Sequence, residues 1–128
     1  MYLSQSTESF GTQDQSWVAS RHGLNNCKPA TLEVSTFTAG THYPAGELLS
    51  GLPIGKVTAT GRYGPYDNAA SDGRQTLVGH LLSNVEVPAG AARVVGAVLL
   101  HGFVKLSLLP VTVDAAGQAD VAGRIIYS

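Results

Sequence analysis

The longest apolar stretch of the chain, RVVGAVLLHGFVKLSLLPVTV at residues 93–113, contains two glycines and Pro110 and therefore cannot form one continuous helix. Its β-branched residues favour extended structure, so the stretch predicts two successive strands at the centre of the core. It cannot span a membrane either, because His101 and Lys105 interrupt it and no apolar run reaches about 18 residues. We therefore expect a mainly β domain without a membrane segment.

Shorter apolar segments separated by Gly, Pro, Asn and Asp predict further strands joined by turns. These segments are TLEVST at 31–36, KVTATGR at 56–62, LVGHLL at 77–82 and RIIY at 124–127. In the second segment, Val57 and Ala59 form the apolar face, and we expect Pro53 and Gly55 to turn the chain into this strand. Asp114 is expected to cap a short helical turn.

Residues 1–26 are rich in Ser, Thr, Gln and Asn, and their few apolar residues follow neither a helical nor a strand period. Because such a segment cannot form a core alone, we expect a flexible N-terminal arm followed by a domain of residues 27–128. Trp17 has two possible positions, since a large aromatic residue in a polar segment either packs onto its own domain or binds in a partner's pocket. Phe10, Trp17 and Val18 are the candidate partner contacts.

Charge argues against nucleic acid as a direct partner. Eight Lys and Arg against nine Asp and Glu give a net charge of -1, and the basic residues form no cluster. A duplex-binding protein neutralises roughly six to ten phosphates from one basic face. Charged residues are only 13% of the chain, against about 25% in typical soluble domains. This predicts a neutral polar surface that is partly covered by protein partners.

Motifs for cofactor or metal binding are weak. The segment SGLPIGKV at 50–57 resembles a phosphate-binding loop, but its glycine spacing is one residue too short and Pro53 lacks a backbone N–H. Asp67 and Asp72 lie in a segment that lacks the ligand spacing of a calcium loop and therefore predicts a turn. Cys27, the only cysteine, cannot form an internal disulfide and is expected to be a small buried thiol. We expect no cofactor and no metal.

Catalytic motifs are equally weak, so we expect that the protein is not an enzyme. The four histidines (His22, His42, His80 and His101) include no pair at a zinc-binding spacing, and no G-x-S-x-G motif marks a nucleophilic serine. His80 and His101 lie inside apolar strand patterns, and we expect both to be partly buried and hydrogen-bonded. The N-terminus has neither a basic start nor an apolar segment, so no signal peptide is expected.

Three segments in a fixed order carry a family resemblance. SGLPIGKVT, GRYGPYD and ASDGRQTLVGHLL follow one another between residues 50 and 82. The C-terminal run from Val98 to Tyr127 includes most of the final sequence ADVAGRIIYS at residues 119–128. Together they resemble the head decoration proteins of tailed bacteriophages, the family of the lambda head decoration protein D. The resemblance covers roughly residues 31–127.

The resemblance implies a β-clip-type domain that forms a homotrimer. It further implies that the trimers bind the major capsid protein on the outer surface of the expanded head, at three-fold and quasi-three-fold positions, and stabilise the shell against the pressure of packaged DNA. The arm is implied to add β-structure to the capsid protein, and the protein would be made in the host cytoplasm. The alternatives are another virion β-domain, from a tail or head fibre, or a carbohydrate-binding module that uses Tyr43, Tyr63 and Tyr66.

Overall fold

The computed structural model describes residues 15–19 and 27–128. Within these ranges the chain is mainly β, as the sequence predicts. The strands are β1 (Lys28–Glu33), β2 (Glu47–Leu48), β3 (Pro53–Lys56), β4 (Tyr63–Pro65), β5 (Leu77–Leu81), β6 (Val85–Glu86), β7 (Arg93–Leu99), β8 (Gly102–Val104) and β9 (Ile125–Tyr127). The helices are α1 (Ala39–His42) and α2 (Ala115–Asp120), and single 3₁₀ turns lie at Val34–Thr36 and Leu106–Leu108.

Five strands close into a barrel in the order β1, β4, β3, β5, β7. β7 pairs antiparallel with β1 from Lys28–Val98 to Glu33–Arg93, and its other edge pairs with β5, where His80 lies opposite Leu99. Closure of a barrel joins the first and last strands and removes their exposed edges. The two strands predicted for the long apolar stretch are confirmed as β7 and β8.

The apolar core consists of two clusters that meet along β5 and β7. The barrel cluster contains Ala30, Leu32, Phe37, Leu48, Leu52, Ile54, Tyr63, Leu81 and Val98. The second cluster joins barrel residues to β8, β9 and the segment around α2, and contains Trp17, Leu77, Leu99, Val104, Val113, Val121 and Ile125. The second cluster therefore fixes the small β8–β9 sheet to the barrel.

The C-terminal elements match their local sequence signals. β8 and β9 form a parallel pair, with Phe103 opposite Ile126. Asp114 is the N-cap of α2, and its carboxylate accepts a hydrogen bond of 2.9 Å from the backbone N–H of Gly117. A carboxylate in this position satisfies one of the N–H groups that the first helical turn leaves unpaired. The predictions for the capped helical turn and for the last strand are confirmed.

The strand predicted at 56–62 is wrong, because the strand in this region is β3 and ends at Lys56. Val57 N–H donates to the Arg62 carbonyl at 2.8 Å and Gly61 N–H donates to the Val57 carbonyl at 2.9 Å, which closes a turn. Gly61 has a φ of 74°, a left-handed conformation that glycine adopts without strain. The alternation of Val57 and Ala59 therefore lies in the connection between β3 and β4.

Two further expectations need correction. His101 is exposed at the turn between β7 and β8, so it is not the partly buried strand residue predicted from the apolar pattern. Pro53 and Gly55 lie within β3 rather than in a turn before it. The assignment of the domain to the β-clip type and the boundary of the arm at residue 26 stay predictions.

Candidate functional site

Trp17 is fully buried against the domain, with an exposed fraction of 0%. Its indole Nε1–H donates to Ser50 Oγ at 3.0 Å. The indole ring also lies beside the imidazole of His80, with 5.7 Å between ring centroids and 38° between ring planes. Of the two positions considered for Trp17, the structure therefore shows the one on its own domain.

Two further hydrogen bonds hold Ser50 in place, one from its hydroxyl and one from its backbone N–H. Ser50 Oγ donates to the Leu82 carbonyl at 2.7 Å, which leaves its lone pairs available to the indole N–H. The backbone N–H of Ser50 donates to Asn84 Oδ1 at 2.8 Å. Since an unpaired buried indole N–H costs about 1–3 kcal/mol, this acceptor makes the buried position of Trp17 favourable.

His80 is buried at 0% exposure and uses both of its ring nitrogens. Nδ1 lies 2.9 Å from the Gly51 carbonyl, and Nε2 lies 2.7 Å from the Tyr127 hydroxyl. A carbonyl can only accept, so Nδ1 carries the proton, and Nε2 accepts the hydrogen bond that Tyr127 donates. Burial lowers the pKa of His80 to about 4, and the bond to Gly51 opposes this change only in part. Burial also raises the pKa of Tyr127 above its ordinary value, so both groups are neutral near pH 7.

Gly51 occupies a position that requires glycine. Its φ is 96°, and a Cβ atom built there would lie 2.9 Å from both the Trp17 ring and Pro110. Its backbone N–H donates to the Leu81 carbonyl at 2.7 Å, which fixes this segment to β5. We call Trp17, Ser50, Gly51, His80 and Tyr127 the anchor cluster.

The backbone of residues 15–19, which we call the arm root, pairs with the free side of β8 through a single β-bridge. Val18 pairs antiparallel with Val104. Ala19 N–H donates to the Phe103 carbonyl at 2.9 Å, and Lys105 N–H donates to the Trp17 carbonyl at 2.7 Å. Both sides of β8 are therefore paired, one with β9 and the other with the arm root.

The outer face of the small sheet carries apolar side chains. Phe103 and Ile126 are neighbours in the β8–β9 register, and Ile126 is 55% exposed. In the part of the chain that the structure describes, the other exposed large aliphatic residues are Val95 on β7 and Leu108 after β8. Exposed aliphatic residues next to a sheet are suited to contact with another protein surface.

The residues predicted as partner contacts have different positions. Phe10 lies outside the described residues, Val18 is half-buried in the arm root, and Trp17 is buried in the anchor cluster. A role of these three residues in partner binding stays a prediction. Ser50 and Tyr127 were not predicted as site residues, because the sequence places Ser50 only in the SGLPIGKV segment and Tyr127 only in the last strand, and neither pattern indicates a contact with Trp17 or His80.

The residues that the sequence offered as weak candidates for metal binding or catalysis have structural roles or no ligand geometry. Asp67 Oδ1 accepts from the Ala69 N–H at 3.0 Å and Asp72 Oδ1 from the Arg74 N–H at 3.1 Å, so both carboxylates stabilise turns. Cys27 is half-buried, and burial raises the pKa of its thiol. Among residues 15–19 and 27–128, no group of three His, Cys, Asp or Glu side chains has the geometry to hold a metal ion. No helix in these ranges has the length and apolarity to cross a membrane.

The tyrosines considered for sugar binding are not exposed. Tyr63 is 6% exposed, and Tyr43 and Tyr66 are half-buried. Tyr66 also donates a hydrogen bond of 2.7 Å to Asp114 Oδ1, which fixes its ring beside α2. Sugar-binding surfaces use exposed aromatic faces, so this geometry does not favour a carbohydrate-binding module.

Comparison with known proteins identifies one family. Residues 27–123 match the family model of the bacteriophage lambda head decoration protein D. The matched region begins one residue before β1 and ends after α2, so it covers the whole barrel and β8. No curated protein matches the chain significantly.

Proposed function

Because the chain belongs to the bacteriophage lambda head decoration protein D family, we propose that it is a homotrimeric cement protein of a phage head. The trimers bind the major capsid protein on the outside of the expanded shell, at three-fold and quasi-three-fold sites. They stabilise the shell against the pressure of the packaged DNA. The family match over residues 27–123 is the observation that carries this proposal. The family is one of structural capsid proteins, so the proposed role needs no catalytic residue, nucleic acid or membrane.

We propose that residues 1–14 bind the coat as an added strand. Fourteen residues in extended conformation reach about 45–50 Å. The pairing of the arm root supports this mode of binding, because the backbone of residues 17–19 already forms strand-like hydrogen bonds with β8. Main-chain hydrogen bonds to an exposed coat strand would provide affinity. Three arms on one trimer would raise the avidity by two to four orders of magnitude over a single arm.

The position of the arm root also orients the domain on the shell in this proposal. We place the β8–β9 sheet toward the coat, because the arm root pairs with this sheet and the sheet carries an exposed apolar side chain suited to a protein contact. Phe103 and the 55% exposed Ile126 then face the shell. Burial of apolar side chains at such a contact contributes about 25 cal/mol per Å² of area removed from water.

The proposal is tested with a variant that lacks residues 1–14. Expanded heads from a mutant phage that lacks this gene are titrated with wild-type and truncated protein, and bound copies are counted by electron microscopy. We expect wild-type trimers of about 40 kDa in light scattering, three times the protomer mass of 13.3 kDa. The truncated variant keeps this mass and its thermal stability but binds heads at least a hundredfold more weakly.

Two results would contradict this function. The first is a wild-type protein that does not bind the heads, which removes the capsid role. The second is a truncated variant that binds as tightly as the wild type, which removes the arm from the mechanism. Heads with and without bound protein are also compared for DNA release on heating, because a cement protein must raise the temperature of release.

A further inference from the structure

We propose that Trp17 is a positioning residue for the arm: the anchor cluster fixes the site at which residues 1–14 leave the domain before any partner is bound. This inference rests on the proposed function, since it assigns a role to the arm in head binding. It differs from the sequence-based hypothesis, in which Trp17 itself contacts the partner. A residue at 0% exposure contacts no partner unless it leaves the anchor cluster.

The arm root depends on Trp17 for most of its attachment. Of the five residues 15–19, only Trp17 is fully buried, while Gln15, Ser16 and Ala19 are exposed. The arm root forms only two backbone hydrogen bonds with β8 and the residue after it, one to Phe103 and one from Lys105. A strand pairing with so few hydrogen bonds is not stable by itself in water. The buried indole and its bond to Ser50 therefore hold the backbone of residues 17–19 against β8.

In this proposal, the attachment shortens the segment that links the coat-binding residues to the domain. Without it, the arm would be joined to the domain only at β1, and residues 1–26 would all lie between the coat and the barrel. With it, the part of the proposed arm that precedes the attachment is residues 1–14. The effective concentration of a tethered group falls roughly as the −3/2 power of tether length, which gives about 2.5-fold per arm. For three arms that bind together the factors multiply to about 15-fold, an effect on the order of tenfold.

A contact of Gln15, outside the anchor cluster, also fixes the start of the arm root. Gln15 Nε2 donates to the Leu82 carbonyl at 2.7 Å, so the first residue of the arm root is fixed beside the end of β5. The arm therefore starts from a defined point at the β8–β9 sheet. A tether that begins at a fixed point loses less conformational entropy on binding than one that must be ordered over its whole length.

Two substitutions loosen the arm root without removing a large side chain. Ser50→Ala removes the acceptor of the indole N–H, and Trp17→Phe keeps an aromatic ring but removes the donor. Hydrogen exchange of the Lys105 amide, which donates to the Trp17 carbonyl, reports directly on whether the arm root is attached. The amide of Leu81, which donates to the Leu52 carbonyl in the barrel, is the internal reference.

We expect both variants to exchange the Lys105 amide at least tenfold faster than wild type, with unchanged exchange at Leu81. At a temperature where all proteins are folded and trimeric, both variants bind expanded heads about tenfold more weakly. The matched control is Ile54→Val, a mild cavity in the barrel cluster that lowers the melting temperature by a similar amount. This control keeps wild-type exchange at Lys105 and wild-type binding.

Three outcomes would overturn the inference. Unchanged exchange at Lys105 in both variants would show that the anchor cluster does not hold the arm root. Faster exchange with wild-type binding would show that the position of the arm does not matter. Equal weakening by Ile54→Val would trace the effect to general stability. If wild-type protein does not bind heads, the proposed function fails and the role in binding fails with it, while the exchange data still show whether Trp17 holds the arm root.

Discussion

The substitution His80→Gln tests whether a buried imidazole makes the stability of this protein depend on pH. His80 is fully buried, and burial lowers its pKa from the ordinary value of 6.5 to about 4. A histidine with these two values stabilises the folded state in its neutral form by about 3 kcal/mol relative to its protonated form. That is a large part of the 5–15 kcal/mol that holds a typical domain together.

The direction of the change in stability with pH depends on whether the folded or the unfolded protein binds the proton of His80 first. Above pH 6.5 the contribution of His80 is complete, and it is lost as the pH falls toward 4, because the unfolded chain is protonated first. At pH 5 we expect a loss of about 2 kcal/mol. The carboxyls of Asp72 and Asp114 also have lowered pKa values. Their contribution to stability is lost only as the pH falls below their ordinary pKa of 3.8. Burial lowers the pKa of His42 too, so His42 needs its own control.

Urea unfolding at pH 7.5, 6 and 5, followed by the fluorescence of the single tryptophan, measures this effect. A loss of 2 kcal/mol lowers the urea midpoint by about 1 M. His80→Gln should reduce this pH dependence strongly, while the control His42→Gln should retain most of it. Protein concentration is held constant, because the unfolding of an oligomer depends on it. Equal wild-type midpoints at pH 7.5 and 5, or a full decrease that persists in His80→Gln, would refute the assignment.

Three further predictions address the anchor cluster and the proposed shell contact. Gly51→Ala should destabilise the protein by about 2–4 kcal/mol in thermal unfolding, since it combines a φ of 96° with a Cβ 2.9 Å from the Trp17 ring. Deletion of residues 1–26 should cost about 3–5 kcal/mol more than deletion of residues 1–14, because it removes the buried indole, and equal melting temperatures would contradict this. Ile126→Asp should weaken head binding at least tenfold while it changes the melting temperature little, because the side chain is 55% exposed.

The elements that the sequence predicts well are those whose signals are local. The α2 turn follows from Asp114, since the capping bond to the Gly117 N–H spans only three residues. β7 and β8 follow from glycine, proline and β-branched residues within one apolar stretch. The family resemblance depends on the order of several short segments, and the family match over residues 27–123 confirms it.

The strand at β3 shows where local signals are insufficient. Val57 and Ala59 alternate with polar residues and satisfy the strand period, yet they lie in a turn. The preceding residues form β3 because both of its edges find partners: Ile54 pairs with Pro65 of β4 on one side and with Gly79 of β5 on the other. Pairing on two sides in a barrel outweighs the weak preference of a single alternating segment. A pattern confined to seven residues carries no information about those partners.

The position of Trp17 is the clearest case of a long-range determinant. Composition could not distinguish a tryptophan that packs on its own domain from one that binds a partner, because both positions bury the ring. The decision depends on groups far along the chain: the hydroxyl of Ser50, the space above Gly51, and the imidazole of His80. Since those groups already satisfy the indole, a partner would have to replace all of these contacts in order to extract it. A direct contact between Trp17 and a partner therefore requires the loss of these buried contacts, whereas the proposed positioning role keeps them.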